Sequence, residues 1–317
     1  MAAAREIQAR IKSIQDTMKI TSAMYMISSS KLKKARKNLE NTEPYFDGLQ
    51  NTIARIVRHL PEIEHRFFET EEMTEKTDKK RGYIVITADK GLAGSYNHNV
   101  VKLTEECLKK GEKNLLFVVG ELGREYFTRH KIPVDINFRY TVQDPGLTRA
   151  RDISEKVLSM YEEGSLDEVY VIYTQSVNSM KVEARVQRLL PLQKAKFKMA
   201  VPVDVYVEDI RMVPSPENVL NNVVPGYVTG FIYGALVESF CSEQNARMMA
   251  MEAATENAEK MLRELKITFN RVRQGAITQE ITEVIAGARA QKKKKQNRRM
   301  AAGRTQGSEP GKYGIGG

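Results

Sequence analysis

Two long stretches, one near each end of the sequence, repeat in alternating steps of three and four residues, and most of the repeated positions are apolar. The first runs through Ile7, Ile11, Ile14, Met18, Thr21, Tyr25, Ser28, Leu32, Ala35 and Leu39. The second runs through Met248, Met251, Thr255, Ala258, Leu262, Leu265, Phe269, Val272 and Ala276. This is the heptad spacing of a coiled-coil seam. Helices of this length are too long to be covered by a globule of 317 residues, so they must pack on each other or on partners.

The order of these segments predicts an antiparallel coiled coil with a domain inserted between its helices. We assign residues 1–60 to an N-terminal coiled-coil helix, 80–200 to a central domain and 210–290 to a C-terminal coiled-coil helix. The intervening residues allow the second helix to return along the first. Pro44 marks a place where the first helix could bend or pause. Two ordinary core helices are the alternative, which their length and composition disfavour.

The central segment alternates between predicted strands and predicted helices. Short apolar runs at residues 82–88, 114–120 and 169–173 have the composition of buried strands. Helical patterns occupy residues 99–110, a short stretch around Tyr126 and residues 152–163. Such alternation is typical of a mostly parallel sheet. The predicted fold class is therefore α/β, a Rossmann-like domain inserted into a long coiled coil.

The residues give no sign of catalysis or of a bound cofactor. The loop at residues 89–94 follows a strand, as phosphate loops do, but it matches neither GxxxxGK[ST] nor GxGxxG. Cys107 and Cys241 lie far apart, and the four histidines have no metal-ligand spacing. No triad or carboxylate pair stands out. We expect a non-catalytic protein with no cofactor and no metal.

An apolar stretch at residues 223–240 carries Gly226, Gly230 and Gly234 at intervals of four. Small residues at this spacing let two helices approach closely. We find no 18-residue apolar run suited to a bilayer and no secretory signal. The stretch is therefore predicted to be a helix packed closely against a neighbour within a folded domain.

The net charge of +10 is concentrated at the end of the chain, because residues 291–317 hold eight Lys or Arg and one Glu. We expect these residues to form a disordered, basic, Gly-rich tail; the alternative is a helix that persists to about Ala302. The charge also raises an alternative function, a nucleic-acid-binding coiled-coil protein that uses this tail. Such binding favours aromatic residues among the basic ones, and the tail has only Tyr313.

Both end segments resemble the γ subunits of bacterial F-type ATP synthases. The first helix does so at residues 10–14, 17, 19–21 and 23–26, and the last at 242–257, 270, 273–274 and 277–288, the latter with the pattern ITxExxExxxGA. Residues 89–94, 189–192 and 214–217 are also similar to family motifs. The resemblance covers residues 2–290. It implies a central rotor shaft within a hexamer of three α and three β subunits, joined to the ε subunit and the membrane-embedded c-ring. Catalysis would belong to β, and the shaft would couple ion-driven rotation to conformational changes there.

The resemblance also implies contacts for particular residues and a place at the cytoplasmic face of the bacterial membrane. The expected β contacts are Met24, Arg273, Gln274, Thr278 and Glu280. A basic face of the first helix would meet an acidic segment of β, or would only be solvated; its residues are Lys31, Lys33, Lys34, Arg36 and Lys37. The foot that faces the c-ring and ε would include Tyr206, Glu208 and Asp209. Gly275 would soften the shaft next to the expected β contacts Arg273 and Gln274, since glycine weakens a helix.

Overall fold

A computed structural model describes residues 2–111, 113–177, 181–197 and 211–304, with side chains from residue 4 to residue 297. The chain divides into two compact units. The larger comprises Thr21–Ala254, and the smaller combines Met1–Ile20 with Thr255–Gly317. The helices are α1 (Ala2–His59), α2 (Glu71–Glu75), α3 (Tyr96–Leu108), α4 (Glu121–Arg129), α5 (Leu147–Glu162) and α6 (Pro216–Arg304). The strands are β1 (Arg81–Ile86), β2 (Asn114–Val119), β3 (Glu168–Ser176) and β4 (Val182–Leu190), and a short 3-10 helix covers Lys194–Phe197.

The four strands form one sheet in the order β2, β1, β3, β4. Strand β1 runs parallel to β2 and to β3, with Tyr83 opposite both Leu116 and Tyr170. The predicted mostly parallel α/β domain is thus confirmed. Strand β4, which the sequence analysis did not predict, is antiparallel to β3 and closes one edge.

Both faces of the sheet are buried. Successive side chains of β1 point to opposite faces and enter two separate cores. Ile84 and Ile86 join one core with α5 and with the first turns of α6. The α6 residues in that core, Val224, Val228, Ile232 and Leu236, are almost completely buried. Tyr83 and Val85 join the other core, with α3 and α4. The central strand is therefore held between two helical layers.

Within the larger unit, α1 and α6 run in opposite directions. Leu49 lies against Gly226, and Phe46 lies against Gly230 and Tyr233. Arg36, further toward the start of α1, lies beside Cys241, further along α6. Each step backward on α1 is matched by a step forward on α6, so the predicted antiparallel pairing is present in this unit.

Helix α1 does not end at Pro44 but continues to His59. A proline inside a helix costs ~3 kcal/mol through a lost hydrogen bond and a clash. The turns after Pro44 bury Ile53, Ala54, Ile56 and Val57 to 4% exposure or less. Burying side chains the size of Ile53, Ile56 and Val57 stabilises by ~1.5–3 kcal/mol each, so packing outweighs the proline.

The predicted seam is visible as alternating burial along both long helices. In the larger unit Thr21, Ser28, Leu32 and Ala35 are buried, and Tyr25 is the exception with 37% exposure. In the smaller unit the half-buried or buried positions of the two helices follow the heptad spacing; they are Ile7, Ile11, Ile14, Met18, Ala258, Leu262, Leu265, Phe269, Val272 and Ala276. The predicted coiled-coil helices are confirmed.

The tail differs from the expectation of disorder, because α6 continues through residue 291 to Arg304. The helical alternative therefore describes residues 291–304, and residues 305–317 lie outside the described part of the chain. Alanine, lysine, arginine and glutamine have high helix propensity, which explains the continuation.

One stretch of α6 is long and apolar enough to cross a membrane by length and composition alone, contrary to our reading of the sequence. More than half of that stretch is buried inside the protein. Its apolar side chains pack on the sheet, so it has the character of a core helix.

Candidate interaction surfaces

Four of the expected β contacts lie at residues 273–280 of α6, and all four side chains are exposed. Arg273 and Glu280 are seven residues apart and share one side of the helix, while Gln274 and Thr278 share another. The Thr278 hydroxyl donates to the carbonyl of Gln274 at 3.0 Å. Within the part of the chain that the structure describes, Arg273 and Glu280 have no ion-pair partner. Both charges are free to meet another molecule.

An apolar face accompanies these polar residues and was missed in the sequence analysis. Ile277, Ile281, Val284 and Ile285 are each 48–72% exposed. Their spacing of four, three and one places them on one side of α6. Every described side chain of residues 277–297 is exposed, so no described part of the chain covers this face. Contiguous exposed apolar residues mark contact surfaces, and the i, i+4, i+7 spacing was the signal that would have revealed it.

The basic face of α1 separates into two groups. Lys34 Nζ lies 3.3 Å from Asp144 Oδ1, Arg36 lies beside the Cys241 thiol and Lys31 lies near Glu243. These three cations are exposed but have neighbours on their own chain. Lys33 and Lys37, one turn apart, are exposed and have no ion-pair partner among the described residues. Met24, one to two turns before this run, is half-buried.

The residues expected at the foot that faces the c-ring and ε, Tyr206, Glu208 and Asp209, lie outside the described part of the chain.

The loop at residues 89–94, which follows β1, is hydrogen-bonded to the start of α4, to residues 142–143 and to α6. The carboxylate of Asp89 accepts backbone N–H groups from Val142 at 3.0 Å, Gln143 at 3.2 Å and Glu121 at 3.2 Å. Arg247 of α6 donates to the carbonyls of Lys90 at 3.0 Å and Gly91 at 3.1 Å. A phosphate loop aims N–H groups at its ligand, whereas here two carbonyls are aimed at a guanidinium. The loop fixes α6 to the sheet domain.

A buried ion pair supports this junction. Arg247 Nη2 lies 2.6 Å from Glu243 Oε1, and both side chains are less than 10% exposed. Burial raises the pKa of Glu243, the nearby Asp89 raises it further, and Arg247 opposes both. One turn earlier, the Ser239 hydroxyl accepts from the backbone N–H of Thr174 in β3 at 3.1 Å. The sequence showed residues 242–257 only as a family motif. It did not predict their contacts, because the partners lie far away in the chain.

A second charged cluster lies at the opposite end of the sheet. Glu168 is paired with Lys79 and with Arg81, each at 3.0 Å, and Arg188 makes two hydrogen bonds to Glu69. Burial by itself would raise the pKa of Glu168, but hydrogen bonds from its neighbours outweigh it and hold that pKa below its usual value. The cluster ties strands β1, β3 and β4 to the segment before α2.

Comparison with known proteins places the chain in a family. An ATP synthase family model matches residues 3–291. The ATP synthase gamma chain of Acetivibrio thermocellus is 46% identical over 297 residues, which cover 92% of this chain and all of the relative. The chain belongs to the ATP synthase gamma-chain family. The gamma chain of Ruminiclostridium cellulolyticum is 48% identical over 90% of this chain and 98% of its own length.

Solved structures agree with the family assignment. The central stalk and c-ring structure of the Tetrahymena thermophila mitochondrial ATP synthase contains a chain with a TM-score of 0.56 and 26% identity, covering 74% of this chain and 99% of that one. A chain of the Euglena gracilis mitochondrial enzyme has a TM-score of 0.63, with 98% and 99% covered; at 16% identity it shows the fold alone. The gamma-chain family and fold expected from the motifs are confirmed, and the nucleic-acid alternative finds no support.

Proposed function

We propose that the chain is the central rotor shaft of an F-type ATP synthase, a non-catalytic subunit that couples ion-driven rotation to conformational change in β. The observation that carries this proposal is the uncovered end of α6. A family member whose longest helix exposes every described side chain from residue 277 to 297, with an apolar face among them, is incomplete by itself. A surrounding hexamer of α and β subunits would cover it.

The shape of the exposed segment suits a rotor. Residues 277–297 extend over ~30 Å at about 1.5 Å per residue. The sides of this helix differ, since one carries Arg273 and Glu280, while Gln274 and Thr278 lie on the side of the apolar face, each seven residues before one of its isoleucines. A ligand shifts a conformational equilibrium only through different contacts with the different states. A helix with unlike sides meets this requirement, because each rotation presents a different side to each β subunit.

We assign the β contacts on this basis to Met24, Arg273, Gln274, Thr278 and Glu280. On the basic face we assign Lys33 and Lys37 to an acidic segment of β, because their charges are free. Lys31, Lys34 and Arg36 have neighbours on their own chain, and these contacts compete with a role toward β.

The remaining partners follow from the same proposal. The ε subunit and the c-ring would bind at the foot, with Tyr206, Glu208 and Asp209 among the contacts. As part of the peripheral F1 sector of a membrane-bound complex, the chain would lie at the cytoplasmic face of the bacterial membrane. The coupled ion would be H⁺ or Na⁺, and one relative, from Acetobacterium woodii, is described as sodium ion specific.

Co-expression with the α and β subunits of the same organism tests the proposal. We expect the tagged chain to purify with both and to be required for ATP hydrolysis by the complex. Arg273→Ala should reduce hydrolysis by roughly 30-fold or more, since removal of a hydrogen-bonded interfacial charge costs ~2–5 kcal/mol and about 1.4 kcal/mol is a factor of ten. Arg263→Ala is the matched control, an exposed arginine on the same helix, and should have little effect. Purification without α and β, or equal losses in the two variants, would contradict the proposal.

A further inference from the structure

The end of α6 is an addition to the family pattern. The family model stops at residue 291, and 92% of this chain suffices to match the whole Acetivibrio relative. Yet the helix continues without interruption to Arg304. Residues 292–297 therefore need an explanation of their own, and we name them, together with residues 289–291, the basic segment.

The basic segment is positively charged around its whole circumference. Successive residues of an α-helix are turned by about 100°, so the four consecutive lysines at 292–295 point in four directions. All of them, and Arg289, are exposed. None has an ion-pair partner among the residues that the structure describes. A helix that lies on a flat partner would concentrate its charge on one side; this one does not.

The composition argues against two other polyanions. An amphipathic helix that lies within a lipid interface needs an apolar face beside the charges, and the basic segment offers only Ala290. Single-stranded nucleic acid is bound largely by aromatic stacking, and residues 277–297 contain no aromatic residue. A helix in the major groove of DNA directs one side to the bases, which does not call for charge on every side.

We propose that the basic segment is enclosed by an acidic protein surface, an electrostatic collar around the end of the shaft. The inference rests on the proposed rotor function. Because the positive charge is similar in every direction, the attraction changes little as the helix turns. The collar would thus hold the end of the shaft without favouring any rotary position, in contrast to the unlike sides at Arg273 and Gln274.

The test uses the complete complex of the chain with α and β. One variant carries Lys292→Gln, Lys293→Gln, Lys294→Gln and Lys295→Gln together. The matched control neutralises four exposed cations elsewhere on α6, through Lys260→Gln, Arg263→Gln, Lys266→Gln and Arg271→Gln. The measured quantities are the rate at which the chain leaves the complex as salt rises, and the step angles in single-molecule rotation.

We expect the tail variant to dissociate roughly tenfold faster at low salt, from four exposed ion pairs of a few tenths of a kcal/mol each. Its dissociation should also depend less on salt, because fewer charges are left to screen. Step angles should stay those of the parent. A photo-crosslinking residue at Gln296 should label a protein surface rich in Asp and Glu.

Three results would overturn the collar. The first is an unchanged dissociation rate and salt dependence in the tail variant. The second is a change in its step angles. The third is lysine-dependent binding of the chain to duplex DNA or phosphatidylserine vesicles, with unchanged retention in the complex. Failure of the proposed function gives a different result, since then neither the parent nor any variant would assemble with α and β.

Discussion

Gly230 is a position where α6 approaches α1 closely, and its replacement by alanine should destabilise the protein. A Cβ atom on Gly230 would lie 2.1 Å from Cδ1 and 2.5 Å from Cγ of Phe46. The ring of Phe46 also contacts Tyr233, with 6.0 Å between the ring centroids, which restricts its movement. Gly234 is the matched control, because no atom outside its own helix lies within 4 Å of a Cβ placed there.

The difference between the two variants isolates the clash. Each replaces a helical glycine by alanine, which favours the helix by ~1 kcal/mol, and this gain cancels when the variants are compared. Only Gly230→Ala adds overpacking, which costs ~1–3 kcal/mol. We therefore expect the free energy of unfolding of Gly230→Ala to be lower than that of Gly234→Ala by ~1–3 kcal/mol. The free energy of unfolding of Gly234→Ala should equal or exceed that of the parent.

Urea unfolding measures the difference, followed by circular dichroism and by tyrosine fluorescence, since the chain has no tryptophan. Repeating the pair in a Phe46→Leu background shortens the side chain that the new methyl group meets, so the difference should shrink. Equal unfolding midpoints for Gly230→Ala and Gly234→Ala would refute the close approach. So would a difference that Phe46→Leu leaves intact.

Four further predictions concern charge and helix continuity. Arg247→Met should lower the free energy of unfolding by ~3–5 kcal/mol, because Glu243 is left buried without its cation; a loss under 1 kcal/mol in urea would contradict this. The lowered pKa of Glu168 gives stability that is complete above its unfolded pKa of about 4.5 and is lost as the pH falls through the folded value. Glu168→Gln should therefore be less stable at neutral pH and show a flatter fall of Tm in acid, and a parent-like acid profile would count against it. Truncation after Gln291 should leave assembly with α and β intact, as judged by gel filtration of the complex. Gly275→Ala should slow amide hydrogen exchange in its neighbours by roughly fivefold, because alanine favours the helix by ~1 kcal/mol and nothing lies within 4 Å of its Cβ position; faster exchange would argue against this.

The long helices were predictable because their signal is periodic and local. Buried or half-buried side chains follow the heptad positions from Ile7 to Leu39 with Tyr25 as the exception, and again from Met248 to Ala276. The strand β4 was not predictable in this way. Its residues include the exposed Arg185 and the largely buried Arg188, and an edge strand with such charges is defined by its pairing with β3 rather than by its own composition.

The contacts of single residues were harder to foresee. Gly226, Gly230 and Gly234 are alike in sequence, but only the first two lie against α1. Which glycine meets a neighbour depends on where two helices cross, and the crossing is set by the whole core. Likewise the basic run on α1 reads as one face, while the structure divides it through contacts with Asp144, Cys241 and Glu243.

The sequence nevertheless records where α6 stops packing on its own chain. A continued heptad seam after Ala276 would need apolar residues at 279 or 280 and at 283, and those positions are Gln279, Glu280 and Glu283. The apolar residues move instead to 277, 281 and 284, a side of the helix turned by about 100° from the seam. The same change appears in the burial of the side chains, because every described one from residue 277 to 297 is exposed. A helix whose apolar face turns away from its partner at one residue is built for two neighbours in succession, α1 before that residue and another molecule after it.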